Sequence, residues 1–319
     1  MKRSHFGERP KMGVVESGGR IFSGRFRSVR VMKRGLGIET LLGVDLVHGG
    51  EVVIKTASAV SVSLSVRLRL EHEAQVLRQL RTASLDQSCR RAFKGKPSIP
   101  PLIQVGQEDD LFYLVMPYIP GVTLRERLER GALSVRDAVT VGRSVLTALE
   151  EAHGCGVLHR DVKPSNIIVD EGGPLKRASL IDFGLSRSER LEPMLRDVPV
   201  GTVRYISPEQ AGMLDREVDA RSDLYSLGVV LYESLSGRPP FEAGEVGELL
   251  RQHLTVEPPK LPGEGIPRAL EELIGHLLRK DPRDRYQSAG GVLADLEEIV
   301  RALERGVAEP VVVIGRHDR

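Results

Sequence analysis

VLHRDVKPSNIIVD, residues 157–170, is the stretch of sequence that decides the fold of this chain. Asp161 and Asn166 stand five positions apart with Lys163 between them, and apolar runs bound the group on both sides. The tripeptide His-Arg-Asp is a weak signal by itself, because so short a string recurs by chance. The whole string HRDVKPSN is highly specific, and it predicts a compact polar cluster that carries chemistry.

Three further motifs stand in a fixed order around this cluster. EVVIK precedes it at residues 51–55, and SLIDFGLSR at 179–187 and GTVRYISPEQ at 201–210 follow it. With these motifs the chain resembles the protein kinase family. The resemblance implies an α+β fold of two lobes with ATP in the cleft between them. The resemblance also implies a flexible N-terminal extension at 1–25, a kinase domain at 26–303 and a C-terminal tail at 304–319. Within the kinase domain, a small β-rich N-lobe would cover 26–117, and a larger, mainly helical C-lobe would cover 118–303.

Composition favours a globular protein of a reducing compartment. The chain has 319 residues, 40% of them hydrophobic, and a net charge of +2, which gives no sign of a nucleic-acid binder. The two cysteines, Cys89 and Cys155, are far apart and lack metal-ligand spacing. The sequence has no run of 18 apolar residues and no secretory signal, so we expect a cytoplasmic protein without a membrane span.

The spacing of apolar residues changes along the chain. Strand-like segments begin at Phe26, and one helix is predicted over 65–80, followed by a long polar and basic loop at 82–100. From Leu124 onward helical spacing dominates, in segments that proline or glycine separates. This order predicts a small β-rich lobe with one helix and then a larger helical lobe.

The resemblance gives each residue of the cluster a role in phosphoryl transfer. That reaction needs phosphates held in line, their charge neutralised by a metal ion, and an oriented hydroxyl group. Asp161 would accept the proton of the substrate hydroxyl. Lys163 would lie near the γ-phosphate, as is typical of serine/threonine kinases. Asn166 and Asp182, the latter in the Asp-Phe-Gly triplet, would bind Mg²⁺, or Mn²⁺ in its place.

The same resemblance places Lys55 over the site, where it would pair with the α- and β-phosphates. A carboxylate of the helix at 65–80 should hold this lysine, and Glu73 is the expected residue, with Glu71 as the alternative. The two glutamates are two positions apart on a helix, so only one of them can face inward. Glu73 is favoured because Leu77, one turn further on, then faces the core.

The adenine pocket is expected around LVMPYIPG, residues 114–121. Met116 would gate this pocket, while the carbonyl of Pro117 and the N–H of Ile119 would meet the adenine edge. Val53 stands where a small alanine is usual, and crowding of the base by its extra methyl groups would cost about 1–3 kcal/mol. Ile168 completes the expected set of cofactor-binding side chains.

The glycine-rich loop departs from the family pattern G-x-G-x-x-G-x-V. Counted back from Lys55 without gaps, Gly35 takes the second glycine's place and Ile38 the third. A frame shifted by two residues makes Gly35 and Gly37 the first two glycines and puts Thr40 in the third place. A shift of two residues keeps each side chain on the same face of the strand, so the sequence does not decide between the two frames. At least one glycine is missing in either frame, so the alternative function is a pseudokinase scaffold with weak or no turnover.

The segment GTVRYISPEQ resembles the end of a kinase activation segment. Glu209 should form a buried ion pair with Arg285, so that losing either partner would strand a charge. Thr202 would form a hydrogen bond near Asp161, in a geometry suited to serine/threonine substrates. Asp223 would anchor the backbone of the catalytic loop from a buried helix.

Regulation is expected at Arg160, which precedes the catalytic aspartate. In this family such an arginine often pairs with a phosphorylated residue of the activation segment. Ser186 and Ser188 are the only hydroxyl residues between Gly184 and Gly201. We therefore expect one of these two serines to be autophosphorylated and to engage Arg160.

Together these motifs predict a serine/threonine protein kinase of bacterial style that acts in signalling. It would transfer the γ-phosphate of ATP to a hydroxyl group of a protein substrate, with no nucleic-acid partner and no membrane span. A small-molecule kinase on a related fold is a further rival. Thr202 and the Ser207-Pro208-Glu209 segment, which shape a platform for a peptide, speak against that rival.

Overall fold

The protein consists of two compact units in a computed structural model that describes residues 19–35, 37–58, 64–85, 99–183, 203–263 and 265–318. The first unit contains the described residues up to Leu70 together with Ile103–Tyr118. The second unit contains those of Glu71–Leu102 and those from Ile119 onward. The N-lobe predicted at 26–117 therefore differs from the first unit, because most of the predicted helix belongs to the second unit. Most of the loop predicted at 82–100 lies outside the described residues.

A single antiparallel sheet of six strands forms the first unit. Successive side chains of a strand point to opposite faces of the sheet, and apolar side chains on one face pack together into a core. Phe26, Ile54 and Val115 are fully buried in this core. In the order of their pairing, the strands are β1 (Ile21–Phe22), β2 (Phe26–Gly35), β3 (Ile38–Asp45), β4 (Glu51–Ser58), β6 (Leu111–Pro117) and β5 (Gln104–Glu108).

The ordered sheet begins earlier than the sequence predicted. Ile21 and Phe22 pair with β2, and Phe22 packs on Tyr113 with the ring centroids 5.1 Å apart. Phe22 is fully buried, so Ile21 and Phe22 belong to the sheet and not to a flexible extension ending at residue 25. A strand of two residues gives no periodic signal, and this is why the sequence pattern missed it. Residues 1–18 lie outside the described part of the chain.

Helices dominate the second unit, and one of them, at Ala220–Ser236, is buried along almost its whole length. Every residue from Ser222 to Leu235 of this helix is buried. A Cβ atom at Gly228 would lie 2.8 Å from the Cβ of Leu277, so glycine is needed where two helices approach closely. No helix of the described residues is long and apolar enough to cross a membrane. The helices are α1 (Leu64–Leu85, which spans both units), α2 (Leu124–Leu128), α3 (Val135–Gly154), α4 (Ala220–Ser236), α5 (Val246–Thr255), α6 (Arg268–Leu277) and α7 (Ala289–Glu304).

A small antiparallel sheet in the second unit holds the segments that carry the predicted catalytic motifs. Its strands, in order, are β7 (Val122–Thr123), β8 (Ile167–Val169) and β9 (Ala178–Leu180). β8 follows Asn166 directly, and β9 ends two residues before Asp182. Pairing of Ile167 with Leu180 therefore brings the two motifs to the same end of the sheet.

The C-terminal tail packs back on the second unit. Val312 is 8% exposed, whereas its neighbours Val311 and Val313 are 95% and 65% exposed. The N–H of Gly315 donates to Oδ2 of Asp295 at 2.7 Å, which ties the tail to helix α7. The predicted end of the kinase domain at residue 303 therefore excludes a segment that contributes one side chain to the core and part-buried hydrogen bonds to helix α7.

Candidate active site

Asp161 lies in the loop between α3 and β8, beside a 3-10 turn at Pro164–Asn166. Nδ2 of Asn166 donates to Oδ2 of Asp161 and to its backbone carbonyl, both at 2.9 Å. Nζ of Lys163 is 2.7 Å from the same Oδ2. An amide and an ammonium thus fix one oxygen of this carboxylate, and the three residues that the sequence grouped together are in direct contact.

The backbone under Asp161 is held in an unusual conformation. Arg160 has a φ of +61°, in the left-handed region that costs a non-glycine residue about 1 kcal/mol or more. Oδ1 of Asp223 accepts the N–H of Arg160 at 2.6 Å, and Oδ2 accepts the N–H of His159 at 2.9 Å. Asp223 on α4 thus lies directly beneath the catalytic loop, where an anchor was expected.

Asp223 is itself fully buried and carries its charge in the protein interior. Burial acts to raise the pKa of this carboxyl. The hydrogen bond from His153, 2.9 Å away, and the hydrogen bond from the N–H of His159 outweigh that effect and lower the pKa below its usual value. The ionised carboxylate can therefore accept hydrogen bonds from the loop backbone and from helix α3 together.

His159 connects the catalytic loop to the segment that carries Asp182. Its Nδ1 accepts the N–H of Asp161 at 3.2 Å, so Nε2 carries the proton and donates to the carbonyl of Ile181 at 3.0 Å. The N–H of Ile181 in turn donates to the carbonyl of Asn166 at 2.9 Å. The His159 ring meets buried Phe183 edge to face, with centroids 4.6 Å apart. These contacts bring the residue before Asp182 against Asn166.

The residues predicted to bind a metal suit Mg²⁺ in their chemistry. Asn166 and Asp182 offer amide and carboxylate oxygens, which are the ligands that hard cations prefer. The Nδ2 of Asn166 is used by Asp161, which leaves Oδ1 as its ligand atom. Within the described residues, no group of three or more His, Cys, Asp or Glu could hold a metal ion. Two protein ligands suffice for Mg²⁺ when waters and phosphate oxygens supply the rest.

Lys55 and part of the predicted adenine pocket share one face of the first unit's sheet. Lys55 on β4 is buried and pairs with Leu114 on β6. Val53, two residues earlier and so on the same face, pairs with Met116. Met116 is buried, and Val53 and Pro117 are half-buried.

The remaining residues of the predicted nucleotide site belong to the second unit. Ile119 and Ile168 are half-buried there, the latter on β8. Glu73 of α1 is 4% exposed and lies on the buried side of the helix with Leu77, whereas Glu71 is only half-buried. Burial therefore favours Glu73 over Glu71 as the inward-facing carboxylate.

The glycine-rich hairpin has a register that the sequence left open. Gly35 pairs with Ile38, and Thr40 pairs with Lys55 on the next strand. The two strands thus close at the pair of Gly35 and Ile38, and Gly37 between them has a φ of +75°. In the frame counted without gaps, Gly35 and Ile38 are the positions on either side of the two variable residues. The shifted frame would put the turn at residues 38–39, which are paired in β3, so Gly35 and Ile38 take the places of the second and third glycines.

Glu209 and Arg285, which the sequence paired, form a fully buried ion pair. Nη1 and Nη2 of Arg285 donate to the two carboxylate oxygens of Glu209 at 2.6 and 2.9 Å. Ser222 donates to Glu209 at 2.7 Å. Arg285 also donates to three backbone carbonyls and lies over the Tyr225 ring at 4.7 Å. Neither charge is left without partners, and such pairing is what makes a buried ion pair tolerable.

The regulatory predictions fall largely on residues that the structure leaves undescribed. Ser186, Ser188 and Thr202 lie outside the described residues. Arg160 is half-buried, and its Nε is buried without a hydrogen-bond partner among the described residues. Burial lowers the pKa of Arg160, although the charge of Asp223 acts in the opposite direction.

Two side chains that hold the catalytic loop were not predicted from the sequence. His153 on α3 bonds to Asp223, and Gln210 donates from Nε2 to the carbonyl of Arg160 at 3.0 Å. Both contacts join residues more than 45 positions apart, so neither leaves a local pattern. For Gln210 the one available signal was its place directly after Ser-Pro-Glu.

Known proteins resemble the chain in this same region. The sequence profile of the protein kinase domain matches residues 41–295, which include the catalytic loop, Asp182 and both partners of the buried ion pair. The chain belongs to the protein kinase family.

Curated relatives of this kinase are bacterial serine/threonine-protein kinases. A probable serine/threonine-protein kinase of Clostridium perfringens is 41% identical over 209 residues, which are 64% of this chain and 30% of that protein. Serine/threonine-protein kinase PrkC of Bacillus subtilis is 31% identical over 285 residues, or 88% of this chain and 41% of that protein. PknL of Mycobacterium tuberculosis is 40% identical over 195 residues, or 60% and 48%. The chain spans less than half the length of these relatives.

Proposed function

We propose that this protein kinase is an active enzyme that transfers the γ-phosphate of ATP to serine or threonine hydroxyls of a protein substrate. The observation that carries the proposal is the fixed carboxylate of Asp161. Asn166 and Lys163 both approach its Oδ2, and Asp223 holds the backbone beneath it. A scaffold without turnover would have no need of such pre-organisation, which stabilises charge in a transition state.

In the proposed reaction Asp161 orients the substrate hydroxyl and takes its proton. Because Asn166 and Lys163 approach Oδ2, Oδ1 is the oxygen that accepts this proton. The ammonium of Lys163, 2.7 Å from Oδ2, offsets negative charge that develops at the γ-phosphate. ATP would supply the phosphoryl group and leave as ADP, and Mg²⁺ bound with it would neutralise the charge on the phosphates. Asn166 and Asp182 would hold the metal, and Lys55 would hold the α- and β-phosphates with Glu73 as its partner.

The preference for serine and threonine is supported by Lys163 and by the relatives. Lys163 stands two positions after the catalytic aspartate, where the resemblance implies serine/threonine specificity. The curated relatives are named serine/threonine-protein kinases. A protein is the expected substrate because Ser207, Pro208 and Glu209 form the buried end of the segment that shapes a peptide platform in this family.

The altered glycine-rich hairpin affects nucleotide affinity and leaves the chemical groups intact. Ile38 brings a side chain to a place where glycine lets the backbone approach a phosphate closely. Val53 similarly reduces the room for adenine on the face it shares with Lys55. Lys55, Asp161, Asn166 and Asp182 are all present, so we expect a raised KM for ATP in an enzyme that turns over.

The test is intact-mass analysis of the purified protein after incubation with ATP and Mg²⁺, with a serine-containing peptide in a parallel reaction. Mass increases of one phosphate in the wild type, absent from Asp182→Asn, would support the proposal. A wild type that modifies neither itself nor any peptide, while it binds ATP, would overturn the proposal and establish the pseudokinase alternative.

We also propose that autophosphorylation of Ser186 or Ser188 supplies an anion for Arg160. The half-buried guanidinium of Arg160 supports this proposal, because its Nε has no hydrogen-bond partner among the described residues. Peptide mapping of the active protein should locate phosphate on one of these two serines. An active protein without phosphate between Gly184 and Gly201 would contradict the proposal.

A further inference from the structure

The side chain of Gln210 bridges two segments that are 50 residues apart. Its Oε1 accepts hydrogen bonds from the Oγ of Ser207 at 3.1 Å and from the N–H of Ser207 at 3.4 Å. The Oγ of Ser207 in turn accepts the N–H of Gln210 at 3.4 Å. These bonds fix the side chain on its own turn, so that Nε2 points away from the turn and donates to the carbonyl of Arg160 at 3.0 Å.

The acceptor of this hydrogen bond belongs to the peptide group that joins Arg160 to the catalytic aspartate. The other end of the same peptide group, the N–H of Asp161, donates to Nδ1 of His159 at 3.2 Å. Gln210 and His159 therefore hold the two polar ends of one peptide plane. Rotation of that plane would break both bonds and would turn the Cα–Cβ bond of Asp161.

This peptide group needs external support because Arg160 has a left-handed conformation, with a φ of +61°. Such a conformation persists in a non-glycine residue only where its surroundings hold it. Asp223 accepts the N–H of Arg160 at 2.6 Å, while Gln210 donates to its carbonyl. Asp223 holds Arg160 at its N–H, and Gln210 holds it at its carbonyl, which lies on the side nearer to Asp161.

We propose that Gln210 is a positioning residue that sets the orientation of Asp161 through the Arg160–Asp161 peptide group. The proposal rests on the proposed kinase activity, because Asp161 is taken there as the acceptor of the substrate proton. Gln210 directly follows Glu209, whose ion pair with Arg285 fixes this segment in the core. The segment that ends the activation region thereby controls the catalytic carboxylate through a single amide.

The test compares Gln210→Glu with Gln210→Met. Glutamate keeps an acceptor for Ser207 but sets a carboxylate oxygen against the carbonyl of Arg160, whereas methionine has similar length and lacks both polar functions. The matched control is Gln252→Glu. Gln252 bridges the backbone of Glu242 in the same way, donating to its carbonyl and accepting its N–H at 3.1 Å each, on a helix outside the catalytic loop.

Two readouts separate a positioning role from a merely structural one. Hydrogen exchange should show the amide of Asp161 opening about tenfold faster in both Gln210 variants, and unchanged in the control. Steady-state kinetics should show kcat lowered on the order of 10- to 100-fold with KM for ATP within about twofold, since Gln210 orients the acceptor and does not bind nucleotide. The control should retain the wild-type kcat.

The two readouts also separate this inference from the proposed function. Faster exchange confined to residues 207–210 would show that Gln210 serves only its own turn, and it would overturn the inference. Unchanged kcat with faster exchange at Asp161 would overturn it as well. An inactive wild type would refute the kinase proposal, while the exchange at Asp161 would still decide whether Gln210 holds the peptide group.

Discussion

At the scale of single residues, the proposed site of this kinase is built from side chains that hold one another in place. Asp161 has one oxygen held by Asn166 and Lys163, and Arg160 beneath it is kept in a left-handed conformation by Asp223. Strained backbone at a reacting group is stable only when neighbouring contacts over-determine it. The catalytic loop therefore depends on residues that take no part in the chemistry.

Ile38 offers a test of the glycine-hairpin register at the residue scale. We expect Ile38→Gly to lower KM for ATP by about three- to tenfold, because loss of the side chain lets the backbone approach the phosphates. Thr40→Gly, the matched change for the shifted frame, should not lower it. Steady-state kinetics with varied ATP distinguishes the two. A lower KM for Thr40→Gly alone would show that the shifted frame governs nucleotide binding.

Glu151 of α3 should make stability depend on pH. Burial raises the pKa of Glu151 from 4.5 to about 7. Between these values the folded protein keeps the proton that the unfolded chain has lost, so the free energy of unfolding falls as pH rises through this range. Glu151→Gln removes this pH dependence of the free energy of unfolding, and it should stabilise the protein at pH 8 by about 1–2 kcal/mol.

Urea denaturation at pH 5 and pH 8 measures this effect. The control is Glu150→Gln, because Glu150 is the adjacent carboxylate and is exposed. It should leave the pH dependence as it is in the wild type. If the free energy of unfolding changes equally between pH 5 and pH 8 in the wild type and in Glu151→Gln, then Glu151 does not couple folding to pH in this range.

At the scale of elements, short segments with little local signal prove to be parts of the two cores. Strand β1 has two residues, yet its Phe22 is buried against Tyr113. The tail after α7 has no regular structure, yet Asp318 accepts the backbone N–H groups of Gln287 and Ser288 at 2.6 and 3.1 Å, where α7 begins. A carboxylate at a helix N-terminus satisfies donors that the helix leaves unpaired.

The tail permits a matched test of its contribution to stability. Val312→Asp should lower the free energy of unfolding by about 2 kcal/mol or more, because it puts a charge at a buried apolar position. Val311→Asp makes the same chemical change one position earlier, where the side chain is 95% exposed, and should have little effect. Thermal or urea unfolding compares them. Equal losses in the two variants would indicate that the tail does not dock in solution.

At the scale of the whole molecule, the residues of the proposed reaction are divided between two compact units. Lys55 and Val53 belong to the first unit, whose core lies under one antiparallel sheet. Asp161, Asn166 and Asp182 belong to the second, where helix α4 is buried along almost its whole length. Each set of side chains is therefore positioned by a core of its own.

The ion pair of Glu209 and Arg285 joins parts of the second unit that are 76 residues apart. Glu209→Leu or Arg285→Met should each lower the free energy of unfolding by about 3–5 kcal/mol, because one buried charge is then left unpaired. The double variant should recover part of that loss. A double-mutant cycle measured by urea unfolding gives the coupling energy.

The exposed pair of Arg268 and Glu272 is the control for this cycle, with side chains 82% and 47% exposed. Its removal should change the free energy of unfolding by less than about 1 kcal/mol, since water already solvates both charges. Additive losses at Glu209 and Arg285 would show that the buried pair contributes no coupling to the fold.

The sequence by itself determined the family and the order of strands and helices, and it supplied the chemical groups on which the proposed function rests. The string HRDVKPSN, the Asp182 triplet and the strand of Lys55 each lie within one short segment, so local order was enough to recognise them. The helix predicted over 65–80 is observed at Leu64–Leu85, and the helical spacing predicted from Leu124 onward corresponds to the helices of the second unit, because buried helix faces repeat at a regular spacing. The buried pair of Glu209 and Arg285 followed from the family pattern.

Only the tertiary structure decided which residues support the catalytic loop and where the folded units begin and end. Gln210, His153 and His159 reach their partners across 50, 70 and 22 residues, respectively. Phe22 and Val312 lie in segments too short for periodicity, and the glycine-hairpin register depended on which strand positions pair. A hydrogen bond or a buried contact is fixed by distance in the folded chain, and residues remote in sequence come within that distance only after the cores have formed.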